Sequence, residues 1–575
     1  MKRKNLIVIT TLIFIVLLSV TAFAEPTAAE ANAARFGIWT IVPPLVAIIL
    51  AFITKNVILS LFIGVFSGTF LLQLNGFNVG SAFVNGFLDI INRIVESLSD
   101  PWNAGIILQC LTIGGLIALV SKMGGARAIA ESLAKRAKSP ASAQLITWLM
   151  GLLVFFDDYA NSLIVGPIMR PITDKMKVSR EKLSFIVDAT AAPIAGIALI
   201  STWVGLEISL IRDGYLSIGQ EVNAYGIFVS TIPYRFYNIL MLLFVVLTAV
   251  LVKEFGPMLK AERRARTTGK VMSDSSQAAA SSEDKTLEPK EGIKLSIWNA
   301  IIPIGTLIVF AFLGFYFNGY QAIMGGEDVA LIQQLTNSPL SFVSIRETFS
   351  NSDASIVLFQ AALLASIVAV VMAVGQKILT VSEALETWVD GMKTLVITGV
   401  ILLLAWSLSS VIKELGTAAF LVSALSSTIP KFLLPSIIFI LGSIISFATG
   451  TSYGTMGILM PLAIPLAHAI SPDPNFVIAS VGAVLTGAIF GDHCSPISDT
   501  TILSSMGSGC DHIDHVKTQL WYSLTVGLIT ILFGYIPAGL GLPIFVVLPI
   551  AMIAVWATVY FFGKSPETPE KSNVA

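Results

Sequence analysis

Long apolar windows, broken at intervals by short polar stretches, dominate this chain of 575 residues. A helix needs about 17–25 apolar residues to cross a bilayer. Eleven windows read as spans: Gly37–Thr54, Val57–Leu74, Ala104–Val120, Leu183–Ile211, Ile227–Val252, Ile297–Phe317, Ala354–Val374, Leu395–Ile412, Phe476–Ser505, Leu520–Ile536 and Leu542–Phe562. The windows from Leu183 and Phe476 are interrupted by polar, Pro-containing stretches, which predicts broken helices. Two further apolar regions, 141–172 and 432–470, are each split by a polar kink, Asp157–Asn161 and Thr449–Gly454.

Charge orients these elements. Lys122–Lys138 and Arg170–Lys182 each hold five basic residues, so both loops are expected on the cytoplasmic side. Region 141–172 must then enter and leave on one side, as a re-entrant hairpin. The element order repeats: two spans, an amphipathic segment (Phe83–Leu98, then Val381–Met392), a span, a split hairpin, a broken span and a closing span. The fold class is therefore an all-α polytopic membrane protein, an inverted-repeat transporter with about 11 spans, two re-entrant hairpins and broken helices. Expected boundaries are a signal peptide at 1–24, a first repeat at 25–252, a flexible cytoplasmic linker at 253–296, a second repeat at 297–537, and an extra C-terminal helix with a cytoplasmic tail at 538–575.

Composition agrees. Hydrophobic residues make up 55% and charged residues only 12%, which leaves no room for a large soluble domain. A net charge of −1 gives no electrostatic footprint for nucleic acid. Cys110, Cys494 and Cys510 form neither a disulfide framework nor a CxxC pair. Lys2–Lys4, the apolar run Leu6–Val20 and Ala22-Phe23-Ala24 have the layout of a cleavable signal, with an uncleaved first transmembrane helix as the alternative; cleavage would put the mature N-terminus outside and the C-terminus in the cytoplasm.

Polar groups at bilayer depth are expensive, so the interruptions carry the chemistry. Asp157, Asp158 and Asn161 mark the first hairpin tip. Adjacent carboxylates in low dielectric repel, and either a cation or a proton relieves that repulsion. Asp188 precedes the first break at Pro193, with a charge at the membrane rim as its bland alternative. Glu207, further along that span, is expected at the outer rim. Asp492, Ser498, Asp499 and Thr500 surround the second break at Ser495-Pro496 and offer the hard oxygen ligands that suit Na⁺. Ser446, Thr449, Thr451 and Ser452 at the second tip, with His493 and Ser495 at the break, are further ion or substrate contacts.

Two motifs mislead. Gly450–Gly454 fits G-x-S-x-G, but that elbow needs a strand-to-helix turn, and membrane helix surrounds it here. Cys510–His515 has metal-like spacing, yet reads as a solvated connector. Neither enzyme activity nor a cofactor or metal beyond transported Na⁺ is expected.

The run Phe490–Ser505, with the Phe156–Asn161 and Thr449–Gly454 tips, resembles the hallmark of the NhaC-type sodium/proton antiporter family. The resemblance covers about Ile38 to Ile536. It implies a transporter of the cell (inner) membrane that exports Na⁺ in exchange for H⁺, a homodimer, and a transport domain moving against a scaffold. Relatives that exchange small carboxylates or take up amino acids give the alternative: Na⁺ or H⁺ as coupling ion for an organic cargo.

Overall fold

Helix ends fall where the sequence supplies caps. Ser139 and Thr380 each close a capping box, and Asp157, Asp353 and Asp511 accept hydrogen bonds from backbone N–H groups one turn on. The computed structural model describes residues 28–567 apart from 55, 75–77, 274–291, 418, 421–423 and 425–428. The expected signal segment, the middle of the expected linker and the last residues of the tail lie outside the described residues.

The first half runs α1 (Val42–Thr54), α2 (Val57–Gln73), amphipathic α3 (Val79–Ser99), α4 (Pro101–Lys122), hairpin arms α5 (Pro140–Leu153) and α6 (Asp158–Lys175), the broken span α7 (Arg180–Ala189) and α8 (Val204–Ser217), and α9 (Phe236–Leu251). After α10 (Gly256–Thr268), the second half runs α11 (Trp298–Met324), α12 (Ala354–Gly375), amphipathic α13 (Val381–Thr394), α14 (Val396–Leu415), hairpin arms α15 (Leu434–Thr449) and α16 (Ser452–Ile470), the broken span α17 (Pro474–Cys494) and α18 (Asp499–Ser508), and α19 (His512–Ile529). α20 (Ile544–Phe562) follows. Among the described residues, ten helices are long and apolar enough to cross a membrane, or up to eleven with one bent pair counted as a span.

The two halves pack reciprocally. α4 lies against α12 and α13, while its counterpart α14 lies against α2 and α3. α8 packs on α16, and α18 packs on α6, so each broken span rests on the other half's hairpin. α11 and α20 turn Val309, Phe310, Phe312, Ile553 and Phe561 outward, as lipid-facing helices do.

Three features depart from the sequence reading. Helices Val329–Asn337 and Phe342–Ser350 separate α11 from α12, whereas α1 and α2 are joined by two residues. Part of the expected flexible linker is α10, which packs on α19 and α7. Met258, Leu259, Ala261 and Ala265 give it a buried apolar stripe, and Arg264 pairs with Glu181 at 2.9 Å. Glu207, expected at a membrane rim, is fully buried and forms an ion pair with Arg235 at 2.9 Å. The break between α7 and α8 interrupts the continuous helix on which the rim placement rested.

Candidate functional site

Two tips and two breaks meet at one place. At the first tip Asp157 caps α6, accepting a hydrogen bond from Ala160 N at 2.7 Å, and Asp158 occupies the first turn. The positive end of the helix dipole stabilises carboxylates at this position. The first break leans on this tip: Thr202 N donates to the Phe156 carbonyl at 3.1 Å. At the second tip Gly450 takes φ +69°, and a Cβ there would stand 2.7 Å from the Ile497 carbonyl oxygen. Only glycine lets this tip rest on the second break. Ser495 continues that contact by donating to the Phe447 carbonyl at 2.7 Å.

Between these parts lies a cavity of about 340 Å³. Asp157, Asp158, Asp492 and Asp499 all line it, with Thr449, Thr451, Ser452 and Thr500 supplying hydroxyls. Asp492 sits in the last turn of α17, where free carbonyls collect, and its Oδ2 accepts bonds from Ser452 Oγ at 2.7 Å and Ser452 N at 3.2 Å. Asp157, Asp158 and Asp492 are buried, whereas Asp499 is exposed and accepts a hydrogen bond from the Tyr159 hydroxyl at 3.3 Å. Asp157, Tyr159, Thr394 and Asp499 also border a second cavity of about 290 Å³ against α4 and α13. Among the described residues no basic side chain lines the first cavity.

Other expected site residues hold the scaffold together. Asn161 Nδ2 donates to the Gly151 carbonyl at 2.8 Å and the Thr190 carbonyl at 2.6 Å, tying both hairpin arms to the first break. Ser446 Oγ donates to the Ala488 carbonyl at 2.6 Å, joining α15 to α17. Ser498 and Thr500 hydroxyls meet at 3.0 Å. Ser452 gives its hydroxyl to Asp492, while His468, on the same helix, meets Gln220.

Asp188 and His493 lie apart from the cavity lining. Asp188 is not a rim charge: it is fully buried, with His515 Nε2 at 3.2 Å and Gln519 Nε2 at 2.6 Å from its Oδ2. His515 therefore leaves the expected solvated connector and enters the core. Trp203 and Tyr453, an edge-to-face pair at 5.0 Å, line the cavity and had no role in the sequence reading, nor did Tyr159 and Thr202. Aromatic residues in apolar windows carry no contrast. The signal for Thr202 and Trp203 was their place at the end of a break.

A protein of Haemophilus influenzae of uncharacterised function is 35% identical over 505 residues, covering 87% of this chain and 91% of that one. The malate-2H⁺/Na⁺-lactate antiporter of Bacillus subtilis is 39% identical over 104 residues, 17% of this chain and 22% of its own length. The YdaH transporter of Alcanivorax borkumensis shares the fold at a TM-score of 0.53 and 15% identity, covering 88% of this chain and 99% of that one. The profile of the Na⁺/H⁺ antiporter family matches residues 4–198 and 194–540. The chain is a secondary transporter with multiple membrane spans and belongs to the Na⁺/H⁺ antiporter family.

Proposed function

We propose that this protein exports Na⁺ across the cell membrane in exchange for H⁺, with the cation held between the two hairpin tips. One observation carries the reading: four carboxylates, two from each half, line a single cavity beside a neutral, hydroxyl-rich tip. A hard cation prefers about six oxygen ligands. Asp492, the Ser452 and Thr451 hydroxyls and the carbonyls at the end of α17 would supply such a set, with no basic side chain among the described lining residues. Carboxylates crowded in this way repel one another until a cation neutralises them, and that dependence supports a cation site whose filling is coupled to compensating charge movement. The test is a pH-gradient assay with the full chain in proteoliposomes. Added Na⁺ or Li⁺ is expected to move protons, with K⁺ much weaker. A wild-type protein that moves no protons on Na⁺ addition refutes the reading.

A second reading is favoured by the cavity's size and lining. About 340 Å³ exceeds the need of one Na⁺ and lies within the range of small-molecule pockets. Trp203, Tyr453 and Tyr159 offer faces to a cationic amine. The four carboxylates of the lining favour an amino-bearing cargo over a malate-like one. In the same assay, lysine or ornithine would then move protons or Na⁺ in a saturable way where malate and lactate do not.

A further inference from the structure

A second buried polar cluster lies outside the cavity. Asp188 stands near the end of α7 and His493 near the end of α17, while His515 and Gln519 are one turn apart on α19. All four side chains are fully buried, as are Tyr237 and Ser523 beside them. Besides the Asp188 bonds, His493 Nδ1 meets the Tyr237 hydroxyl at 2.7 Å, and Gln519 donates to the His493 carbonyl. Four of the cluster's polar atoms have no partner: Asp188 Oδ1, His493 Nε2, His515 Nδ1 and Gln519 Oε1.

Packing does not account for such a cluster. Each unpartnered buried polar atom costs about 1–3 kcal/mol, and apolar side chains would join these helices without that penalty. The charge on Asp188 needs a counter-charge, and among the described residues no Lys or Arg bonds to it. Lys182, six residues earlier on α7, is taken by Glu254 at 2.8 Å and Thr248 at 2.9 Å. The other titratable groups facing the cluster are Tyr237 on α9 and Cys494 and Asp492 on α17, and none of them can become positive. Among the described side chains, only a protonated imidazole brings positive charge to Asp188. A transition-metal ion held by side chains does not fit, because among the described residues no three His, Cys, Asp or Glu side chains converge on one position.

We infer that Asp188, His515 and His493 form a proton-binding site separate from the cation cavity, and that the exchanged proton is carried there. The inference rests on the Na⁺/H⁺ reading above. Coupling follows from adjacency: Asp492 enters the cavity, and the next residue, His493, enters the cluster. A cation drawn to Asp492 and a proton gained or lost beside Asp188 act on the same helix end, whose carbonyl Gln519 holds. In each cycle one proton is taken from water on one side, rests on the imidazole facing the Asp188 carboxylate, and is returned to water on the other side.

The test compares two fluxes in proteoliposomes: Na⁺-driven proton movement, and exchange of radioactive Na⁺ for Na⁺, which needs no proton. His515→Gln and Asp188→Asn are expected to keep the sodium exchange within about threefold and to lose at least tenfold in proton movement. A merely structural role would lower both together, and retention of both would equally overturn the inference. An infrared measurement on the wild type covers the case in which the variants do not fold. The chain has four histidines, so Na⁺-induced difference spectra of protein carrying ¹³C-histidine are readable. A labelled imidazole band that changes protonation on Na⁺ addition is expected, and its absence refutes the site. If the wild type shows no Na⁺-driven proton movement, the antiport reading fails. If it does and the variants stay coupled, only the separate proton site fails.

Discussion

Replacing Asp492 by Asn separates two jobs that this carboxylate could do, binding the cation and docking the second tip. The substitution keeps the shape and removes one charge. Unit charges 4 Å apart at an effective dielectric of about 20 attract by about 4 kcal/mol. An amide oxygen retains part of that attraction, so the expected loss is about 2–4 kcal/mol, or roughly 30- to 1,000-fold in Na⁺ affinity. Docking should suffer less. Ser452 Oγ at 2.7 Å and Ser452 N at 3.2 Å still find an acceptor in the Asn oxygen, and a buried charge is removed. Thermal stability in detergent is therefore expected to change little. Binding of radioactive Na⁺ to purified protein reads the affinity, and Ser452→Ala is the control. That variant keeps the charge and loses a charge-assisted bond of about 1.5–3 kcal/mol. If Asp492→Asn binds Na⁺ like the wild type, the carboxylate is not a ligand. If Ser452→Ala is as damaging as Asp492→Asn while its melting temperature falls, the tip contact rather than the charge sets the affinity.

Gly450→Ala puts a Cβ 2.7 Å from the Ile497 oxygen on a backbone at φ +69°, a conformation that costs a side chain about 1–2 kcal/mol. The tip should lift off the break, and Na⁺-driven proton movement should fall at least tenfold; full activity would show that the contact is dispensable. Glu207→Leu strands Arg235 in the core and is expected to cost about 3–5 kcal/mol, seen as a lower melting temperature in detergent. Adding Arg235→Met should restore much of that stability, and a double variant no better than Glu207→Leu would mean that Arg235 is held by its bonds to Thr231 and the Gly196 carbonyl rather than by charge.

The elements were legible because the apolar windows and their interruptions are local. Pro, Gly and capping residues set the ends of the hairpin arms and broken spans within a few positions, as at Ser139-Pro140 and Asp157. The meeting of four Asp residues could be expected from the repeat, because matching elements of two halves come together. Which polar residues face the cavity could not be read. Asp492 and His493 are neighbours in sequence, yet a helix turns about 100° per residue and sends them to different surroundings. Asn161, Ser446 and Ser495 have the same chemistry as ion ligands, but backbone carbonyls claim them first. The partners of Asp188 lie more than 300 residues away, and His515 and Gln519 stand among Asp514, Lys517, Thr518 and Ser523 on a mixed helix, where no pattern marks them as a buried pair.

The halves repeat in shape but not in chemistry, and that asymmetry bears on how exchange works. In the first half the tip is acidic and the residues at the break that line the cavity, Thr202 and Trp203, are neutral; in the second half the tip is neutral and the break brings Asp492 and Asp499 to the cavity. Two equal acidic tips would place their charges face to face and repel. Two acidic breaks would do the same. Alternation gives each acidic element a hydroxyl-bearing neighbour instead: Thr202 beside the first tip and Ser452 against Asp492. The cavity can then gather four carboxylates while its neutral parts supply the remaining ligands. Because each half contributes two of the charges, neither half alone can satisfy the cation, so occupancy favours the arrangement in which both tips and both breaks are in contact. An empty, charged cavity favours their separation by the same repulsion. Opening and closing would then follow the neutralisation state of the cavity, the condition an exchanger needs to avoid leaking one ion without the other.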